Sequence, residues 1–286
     1  MKLLKKVLMP VAERFVSGES MESAIGRAKH LDKKGIKALI NLLGEHVEDE
    51  NKVESTVLEY DDILTLLSKN DINACISVKP TQLGLEIDYD YCMDNLKYLA
   101  RRAESLGKFM WIDMESSEHT QETVEMYREL IEDYDSVGIC IQCYLKRSEQ
   151  DIENLLGDSV IRLVKGAYDE STDIAYRDRK KESENFKKLA EMLFESDDYF
   201  AIGTHDKELV DHCQQLMDEH NRPKDSFEFQ FLKGVREDLK FEMAEKGFNV
   251  SEYVPYGPEW FSYYWRRVME RKENLLFALR AVLWGS

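Results

Sequence analysis

Short runs of apolar, β-branched residues alternate along this chain with charged stretches that carry apolar side chains at three- and four-residue steps. Between positions 90 and 106, for example, Cys92, Leu96, Leu99 and Ala103 recur on one face, which is typical of an amphipathic helix. The apolar runs predict strands, and they start about every 30 residues, which is the length of one βα unit. The eight predicted strands are residues 37–43, 73–78, 108–113, 137–142, 160–165, 199–204, 227–232 and 249–254.

This alternation predicts the fold class. Continuous apolar strands between helices indicate a parallel sheet that is covered by helices. Eight such units in roughly 250 residues favour a closed (β/α)8 barrel of the TIM type over an open doubly wound sheet, which would usually carry a glycine-rich first turn. The first thirty residues are predicted to be helical, with Ser20 capping residues 21–31 and an N-terminal arm over residues 1–35. We expect one domain over residues 1–286 because no linker-like segment interrupts it.

Composition and charge argue against some classes of function. The chain has 286 residues, a net charge of −17 and a pI near 4.9, so a nucleic-acid-binding face is not expected. The longest stretch without Asp, Glu, Lys or Arg is residues 136–145, far short of the roughly 20 apolar residues of a membrane span. The N-terminus does not fit a secretory signal. The sequence predicts a cytoplasmic protein.

The cysteines do not predict a disulfide framework or a metal centre. Their number, five, is odd, and Cys140 and Cys143 lie in a predicted buried strand. Side chains three residues apart on a strand face opposite sides, so we interpret this pair as small buried hydrophobes. No P-loop, glycine-rich Rossmann or zinc-protease motif is present.

Polar residues collect where the predicted strands end, which is where the active site of such a barrel forms. Arg162 lies inside an apolar strand, and a buried guanidinium needs a partner, for which Asp113 is the candidate. A purely structural ion pair remains the alternative. Gly166 allows a ligand to approach the backbone, and Thr204 and His205 follow the next strand and could donate to the same ligand, although His205 could equally be structural.

The last predicted helix gathers an aromatic ring, a guanidinium and a carboxylate on one face, because Tyr263, Arg266 and Glu270 are one turn apart. Adjacent arginines, Arg266 and Arg267, beside aromatic rings suit a small carboxylate. A core helix with solvated arginines is the alternative.

Seven ordered motifs at these strand ends resemble the proline dehydrogenase family, specifically its monofunctional bacterial type. The resemblance implies FAD-dependent oxidation of L-proline to 1-pyrroline-5-carboxylate, with hydride transfer from the proline Cδ to flavin N5 as the first step of proline catabolism to glutamate. It also implies a distorted barrel with the last helix over its mouth. The motifs are Ser77-Val-Lys79-Pro, Ile112-Asp113-Met114-Glu, Gln142-Cys-Tyr-Leu, Arg162-Leu-Val-Lys-Gly-Ala-Tyr168, Gly203-Thr-His205, Glu228-Phe-Gln-Phe-Leu232, and Tyr253-Val-Pro-Tyr-Gly followed by Trp260 and Arg266-Arg267.

The resemblance also assigns roles by matching positions. Arg162 would lie beside flavin N5 with Asp113 in the same catalytic network, Glu270 would brace Arg266, and no metal is required. The substrate residues would be Lys79, Tyr168, Leu232, Tyr253, Tyr263, Arg266 and Arg267. The FAD residues would be Met114, Gln142, Arg162, Val164, Lys165, Gly166, Ala167, Thr204 and His205.

The implied partners are a membrane quinone as electron acceptor and a pyrroline-5-carboxylate dehydrogenase on a separate chain. The quinone allows a peripheral contact at the inner face of the membrane. Tyr253 favours proline over hydroxyproline. One departure is the segment Met114-Glu-Ser, where the family often has a second acid. Two alternatives stay open: a Schiff-base aldolase on the same barrel with Lys79 or Lys165 as nucleophile, and a barrel that binds ligand without turnover.

Overall fold

Eight parallel strands close into a barrel in chain order, with β1 paired to both β2 and β8, as the sequence predicted. The computed structural model describes residues 12–269, and the side chains of residues 12–265. Predicted and observed strand bounds agree within two residues. The strands are β1 (Lys37–Leu42), β2 (Ala74–Val78), β3 (Met110–Ile112), β4 (Val137–Gln142), β5 (Ile161–Val164), β6 (Phe200–Gly203), β7 (Phe227–Leu232) and β8 (Asn249–Tyr256).

Helices connect the strands and cover the outside of the barrel. Many begin at an aspartate whose carboxylate accepts a backbone N–H of the first turn, as Asp49, Asp88, Asp178 and Asp206 do. None of the described helices is long and apolar enough to cross a membrane. The helices are α1 (Met21–Asp32), α2 (Glu50–Lys69), α3 (Tyr89–Ser105), α4 (Thr120–Ile131), α5 (Ser148–Glu153), α6 (Arg179–Glu195), α7 (Lys207–Glu219), α8 (Glu237–Glu245) and α9 (Trp260–Met269).

Each strand presents one face to the helices and the other to the barrel interior. The outward residues are apolar and pack with the helices in the main core, as Ile76, Ile139 and Phe229 do. Inside the barrel, Trp111 packs against Gly138 so closely that a Cβ on the glycine would lie 2.6 Å from the indole ring. Polar side chains occupy the interior nearer the carboxyl ends of the strands. The alternation therefore brings the polar residues of several strands together.

Cys140 and Cys143 lie on different faces of the barrel wall. Cys140 pairs in register with Arg162 on the inward-facing side, whereas the Cys143 sulfur lies 3.6 Å from the carbonyl oxygen of Glu182 in α6. Both are buried and neither forms a disulfide. The two side chains therefore face opposite sides, as predicted.

The N-terminal arm differs from its prediction. Ala12 is helical, residues 13–20 are turn and irregular backbone, and helix resumes at Met21. Gly18 has a φ of 100°, a left-handed conformation that stops a helix. Ser20 does occupy the N-cap position, but its side chain makes no capping hydrogen bond. The segment instead follows the barrel, with the Ser17 N–H donating to the Pro255 carbonyl at 2.8 Å.

Helix α9 starts at the carboxyl end of β8 and lies at the barrel mouth. Trp260, Tyr263 and Tyr264 form an apolar cluster with Leu43, directly after β1, and with the three apolar residues of segment 12–16. The Trp260 Nε1 donates to the Glu19 carboxylate at 2.8 Å. The first turns of α9 are thus fixed to the mouth by the N-terminal segment.

Candidate active site

A buried carboxylate, Asp113, lies at the centre of the polar interior, directly after β3. Its Oδ1 accepts hydrogen bonds from Arg162 Nη2 and, at 2.6 Å, from Ser77 Oγ. Its Oδ2 accepts from the Tyr253 hydroxyl at 2.7 Å and lies 3.4 Å from Lys79 Nζ. Side chains from three other strands, β2, β5 and β8, therefore converge on one carboxyl group, and the predicted pairing of Asp113 with Arg162 is observed.

The Arg162 guanidinium is buried in the barrel, 5.1 Å from the Trp111 ring and 6.0 Å from the Tyr253 ring. Beyond Asp113, its Nη1 contacts Gln230 Oε1 at 3.4 Å. Its Nε is buried and has no hydrogen-bond partner. An orphaned donor on a buried cation is costly in a closed core, so this nitrogen keeps unused hydrogen-bonding capacity.

Lys79 joins the cluster to the loop after β1. Its Nζ lies 3.6 Å from Glu45 Oε1, and the Tyr168 hydroxyl donates to the same oxygen at 3.4 Å. Tyr168 follows β5, so the two sides of the mouth meet at Glu45. The lysine thus lies between two carboxylates, Asp113 and Glu45, at 3.4 and 3.6 Å.

The protonation states follow from these contacts. Burial alone would raise the pKa of Asp113, but Lys79, Arg162 and the hydrogen bonds from Ser77 and Tyr253 outweigh it and lower the pKa to about 2. Burial would lower the pKa of Lys79, but Asp113 overcomes this and raises it well above its usual value. Lys79 is therefore a fixed cation, which is the opposite of what a Schiff-base nucleophile requires.

The residues expected to hold the cofactor form an arc at the ends of β4, β5 and β6. Gln142 Nε2 donates to the Glu115 carbonyl at 2.7 Å, and its Oε1 faces the Ala167 N–H at 3.4 Å. Gly166 has a φ of 122°, and a Cβ there would lie 2.2 Å from the Tyr144 ring. Only glycine fits this turn, because its φ is positive and the Tyr144 ring occupies the space that a side chain would need. Met114 is buried beside this arc, and Val164 is half-buried within it.

The end of β6 completes the arc. Thr204 is buried, and its Oγ1 accepts the Asp206 N–H at 3.3 Å, while Lys165 forms an ion pair with Asp206 at 3.0 Å. His205 Nε2 accepts the Leu232 N–H at 2.7 Å, which places the proton of a neutral ring on Nδ1. Leu232 in turn pairs in register with Tyr253. The structure thus brings the residues predicted for the cofactor and the described residues predicted for the substrate to adjoining parts of one mouth.

The predicted residues of the last helix are only partly described. Tyr263 is buried and lines a cavity of about 590 Å³ together with Glu45, between the loop after β1 and the start of α9. The side chains of Arg266 and Arg267, and all of Glu270, lie outside the described residues. The carboxylate clamp predicted there stays a prediction.

Three contacts of this site were not assigned from the sequence. Ser77 lies in a quoted motif but was given no role, and Gln230 and Glu45 were given none either. The alternation in β7 contained a usable signal, because Glu228 and Gln230 share the inward face with Leu232. For Glu45 the sequence offered no signal, since a loop carboxylate has no periodicity.

A closed barrel with a buried charge cluster at the carboxyl ends of its strands is the architecture of a (β/α)8-barrel enzyme. The chain belongs to the proline dehydrogenase family, whose model, Proline dehydrogenase, matches residues 24–280. It is 34% identical over 273 residues to proline dehydrogenase 1 of Bacillus subtilis, covering 95% of this chain and 90% of the relative. It is 33% identical over 295 residues to the proline dehydrogenase of Deinococcus radiodurans, covering 99% and 94%.

Solved structures agree. The fold superposes with a TM-score of 0.89 at 26% identity on proline utilization A from Bdellovibrio bacteriovorus inactivated by N-propargylglycine, covering 96% of this chain and 34% of that one. The chain therefore spans about a third of the length of that larger protein. The fold class and the family predicted from the motifs are confirmed.

Proposed function

We propose that this protein oxidises L-proline to 1-pyrroline-5-carboxylate, with FAD as its resident cofactor and a quinone as electron acceptor. The observation that carries the proposal is the Asp113 cluster. It holds Arg162, Lys79 and Tyr253 together at the mouth of a barrel that belongs to the proline dehydrogenase family. FAD supplies the acceptor for the hydride when it is bound.

The residues present fit a flavin. Arg162 offers a buried N–H without a hydrogen-bond partner at the end of the barrel where the flavin is expected. Lys165 adds positive charge at the same strand end. We assign the cofactor to Met114, Gln142, Arg162, Val164, Lys165, Gly166, Ala167, Thr204 and His205. A cation held at this position favours the added negative charge of a reduced flavin.

The substrate side of the site suits a small cyclic amino acid. Lys79 is a fixed ammonium group, so it can bind a carboxylate but cannot serve as a base or a nucleophile. We propose that Arg266 and Arg267 complete this carboxylate site, and that Tyr168, Leu232, Tyr253 and Tyr263 wall the ring. The oxidation removes a hydride from Cδ and a proton from nitrogen, so the chain has to orient the ring and hold the charges.

Asp113 is the residue that keeps this arrangement in place. One of its oxygens accepts from Arg162 and Ser77, and the other accepts from Tyr253. The negative charge of Asp113 also offsets the positive charge of Lys79, whose Nζ lies 3.4 Å from Oδ2. We therefore propose that Asp113 orients both a cofactor-side cation and a substrate-side ring, without itself exchanging a proton.

We extend the proposal to the cellular setting on the strength of the family resemblance. Electrons would pass to a membrane quinone through a peripheral contact at the inner face of the membrane. The product would go to a pyrroline-5-carboxylate dehydrogenase on a separate chain. The direct check is proline-dependent reduction of a soluble quinone analogue, with dioxygen excluded.

The first experiment is an anaerobic visible spectrum of the purified protein before and after addition of L-proline, with D-proline as the control. We expect a flavin spectrum that bleaches with L-proline only. A flavin spectrum that changes with neither enantiomer would support the cofactor assignment and contradict the substrate assignment. A protein that stays colourless after FAD is supplied would overturn the whole assignment.

The carboxylate site has its own test in Arg266→Met and Arg267→Met. Each change removes a charge-assisted hydrogen bond worth about 1.5–3 kcal/mol, so the KM for proline should rise roughly 10- to 100-fold while flavin stays bound. Lys180→Met, on an exposed side chain of α6, is the control. Unchanged proline kinetics in both arginine variants would remove these residues from the substrate site.

A further inference from the structure

Three loops at the barrel mouth bring together two histidines and one glutamate that have no part in the oxidation proposed above. His46 follows β1, Glu86 follows β2, and His119 ends the short helix after β3. His46 Nδ1 lies 2.5 Å from Glu86 Oε1, and His119 Nε2 lies 3.4 Å from the same oxygen. One ligand atom from each residue lies within 4.8 Å of the other two.

This spacing suits a metal ion. Ligands at about 2.0–2.1 Å from a tetrahedral Zn²⁺ are about 3.3 Å apart. The separation of His119 from Glu86 already matches that value, and His46 has to move away from Glu86 by less than about 1 Å. Two imidazole nitrogens and one carboxylate oxygen form a ligand set found in catalytic zinc proteins, with water in the fourth position.

The surroundings of His119 provide a second, independent argument. Its ring is buried, and while Nε2 faces Glu86, Nδ1 lies 3.4 Å from the Glu122 carboxylate. A carboxylate on the far ring nitrogen is the usual support of a metal-bound histidine, because it fixes the tautomer and the orientation of the ring.

His46 is also held in place, although its side chain is more than half exposed. Its backbone has a φ of 55°, which is uncommon for a residue with a side chain. Thr81 fixes this conformation, because its Oγ1 accepts the His46 N–H at 3.1 Å and its carbonyl accepts the Val47 N–H at 2.9 Å. The ring is thereby directed toward Glu86.

We propose that His46, Glu86 and His119 bind a divalent transition-metal ion of the Zn²⁺ class. The ion would tie the loop after β1 to the loops after β2 and β3. Because Glu45 adjoins His46 and lies 3.6 Å from Lys79, the bound ion also restrains the wall of the proposed proline site.

The chain contains its own comparison. Glu191, Glu195 and His220 form a second group of the same spacing, on α6 and at the end of α7. That group is on the surface, has one imidazole instead of two, and lacks a carboxylate contact to the far nitrogen of its histidine among the described interactions. It should bind Zn²⁺ more weakly, since carboxylates suit harder ions.

The test is titration of Zn²⁺ into untagged, chelator-treated protein, followed by calorimetry. We expect one tight site per chain in the wild type and in His220→Asn. We expect at least about tenfold weaker binding in His119→Asn and His46→Asn. Asparagine tolerates the left-handed backbone at position 46, so this variant should fold even if the change at the buried His119 is not accepted.

Thermal unfolding provides the second measurement. Saturating Zn²⁺ should raise the Tm of the wild type and of His220→Asn, and should leave that of His46→Asn unchanged. Absence of saturable binding by the wild type at micromolar Zn²⁺ would overturn the proposal. So would tight binding retained in His46→Asn, or an equal loss in His220→Asn. None of these outcomes depends on flavin or on proline oxidation.

Discussion

This barrel contains two buried charge clusters of the same composition, of which only one lies in the proposed active site. Each consists of one carboxylate, one arginine and one lysine. Inside the barrel, Asp113 holds Arg162 and Lys79. On the outside of β8, Glu252 holds Arg27 of α1 and Lys240 of α8.

The difference lies in how completely the charges are satisfied. Arg27 binds Glu252 through two hydrogen bonds of 2.7 and 2.6 Å, and Lys240 donates to Glu252 and, at 2.7 Å, to Glu237. In the Asp113 cluster, Arg162 keeps a partnerless Nε, and Lys79 has its nearest carboxylates at 3.4 and 3.6 Å. Both clusters are therefore buried and charged. What distinguishes the Asp113 cluster is that Arg162 and Lys79 keep unused hydrogen-bonding capacity.

The largest effect should come from Glu252→Gln. Lys240 is fully buried and Glu252 is one of its two carboxylate partners, so its loss should lower the free energy of unfolding by about 3 kcal/mol, the lower end for a broken buried ion pair because Glu237 remains. Denaturant titration measures this loss. The kcat for proline in the protein that remains folded should equal that of the wild type, and a parallel fall in kcat would mean that the two clusters are not separate in function.

Asp113→Asn should show the reverse pattern. The variant keeps the shape but loses the charge that positions Arg162 and Lys79, so kcat should fall about 100-fold, equivalent to about 2.7 kcal/mol in the barrier. Stopped-flow reduction of the flavin by proline measures this step. A variant with wild-type reduction kinetics would show that the Asp113 cluster is merely structural, like that of Glu252.

The stability difference between the same variant and the wild type should depend on pH. The pKa of Asp113 is lowered from 3.8 to about 2 in the folded protein, so its contribution to stability is present above pH 4 and is lost as the pH falls through 2. This contribution is about 2 kcal/mol. The stability difference between the wild type and Asp113→Asn should therefore shrink between pH 4 and pH 2, and a difference that does not change with pH would contradict the assignment.

The sequence predicted the outward half of each strand better than the inward half. Outward residues such as Ile139 and Phe229 are apolar because they pack against the helices, and the periodicity of apolar residues predicts this directly. The pairing of Arg162 with Asp113 could also be predicted, because a charge inside an apolar strand demands a partner. The contact of Glu45 with Lys79 could not, since a loop residue reaches its partner only through the closed barrel. The turn at Gly18 was missed because residues 1–30 were assigned as helix, although the polar residues 17–20 interrupt the apolar positions and Gly18 takes a positive φ.

The smallest expected effect is at Gln230, which connects the Asp113 cluster to a third buried carboxylate, Glu228. Its Nε2 donates to Glu228 Oε1 at 2.5 Å, and its Oε1 therefore faces Arg162. A carboxylate accepts only, so Glu228 fixes which end of the amide the guanidinium meets. In Gln230→Met that orientation is lost with little change in volume, and we expect kcat to fall by about tenfold, or about 1.4 kcal/mol, with the KM for proline unchanged. Gln214→Met, on a half-buried side chain of α7, is the control, and equal kinetics in the two variants would show that Gln230 does not position Arg162.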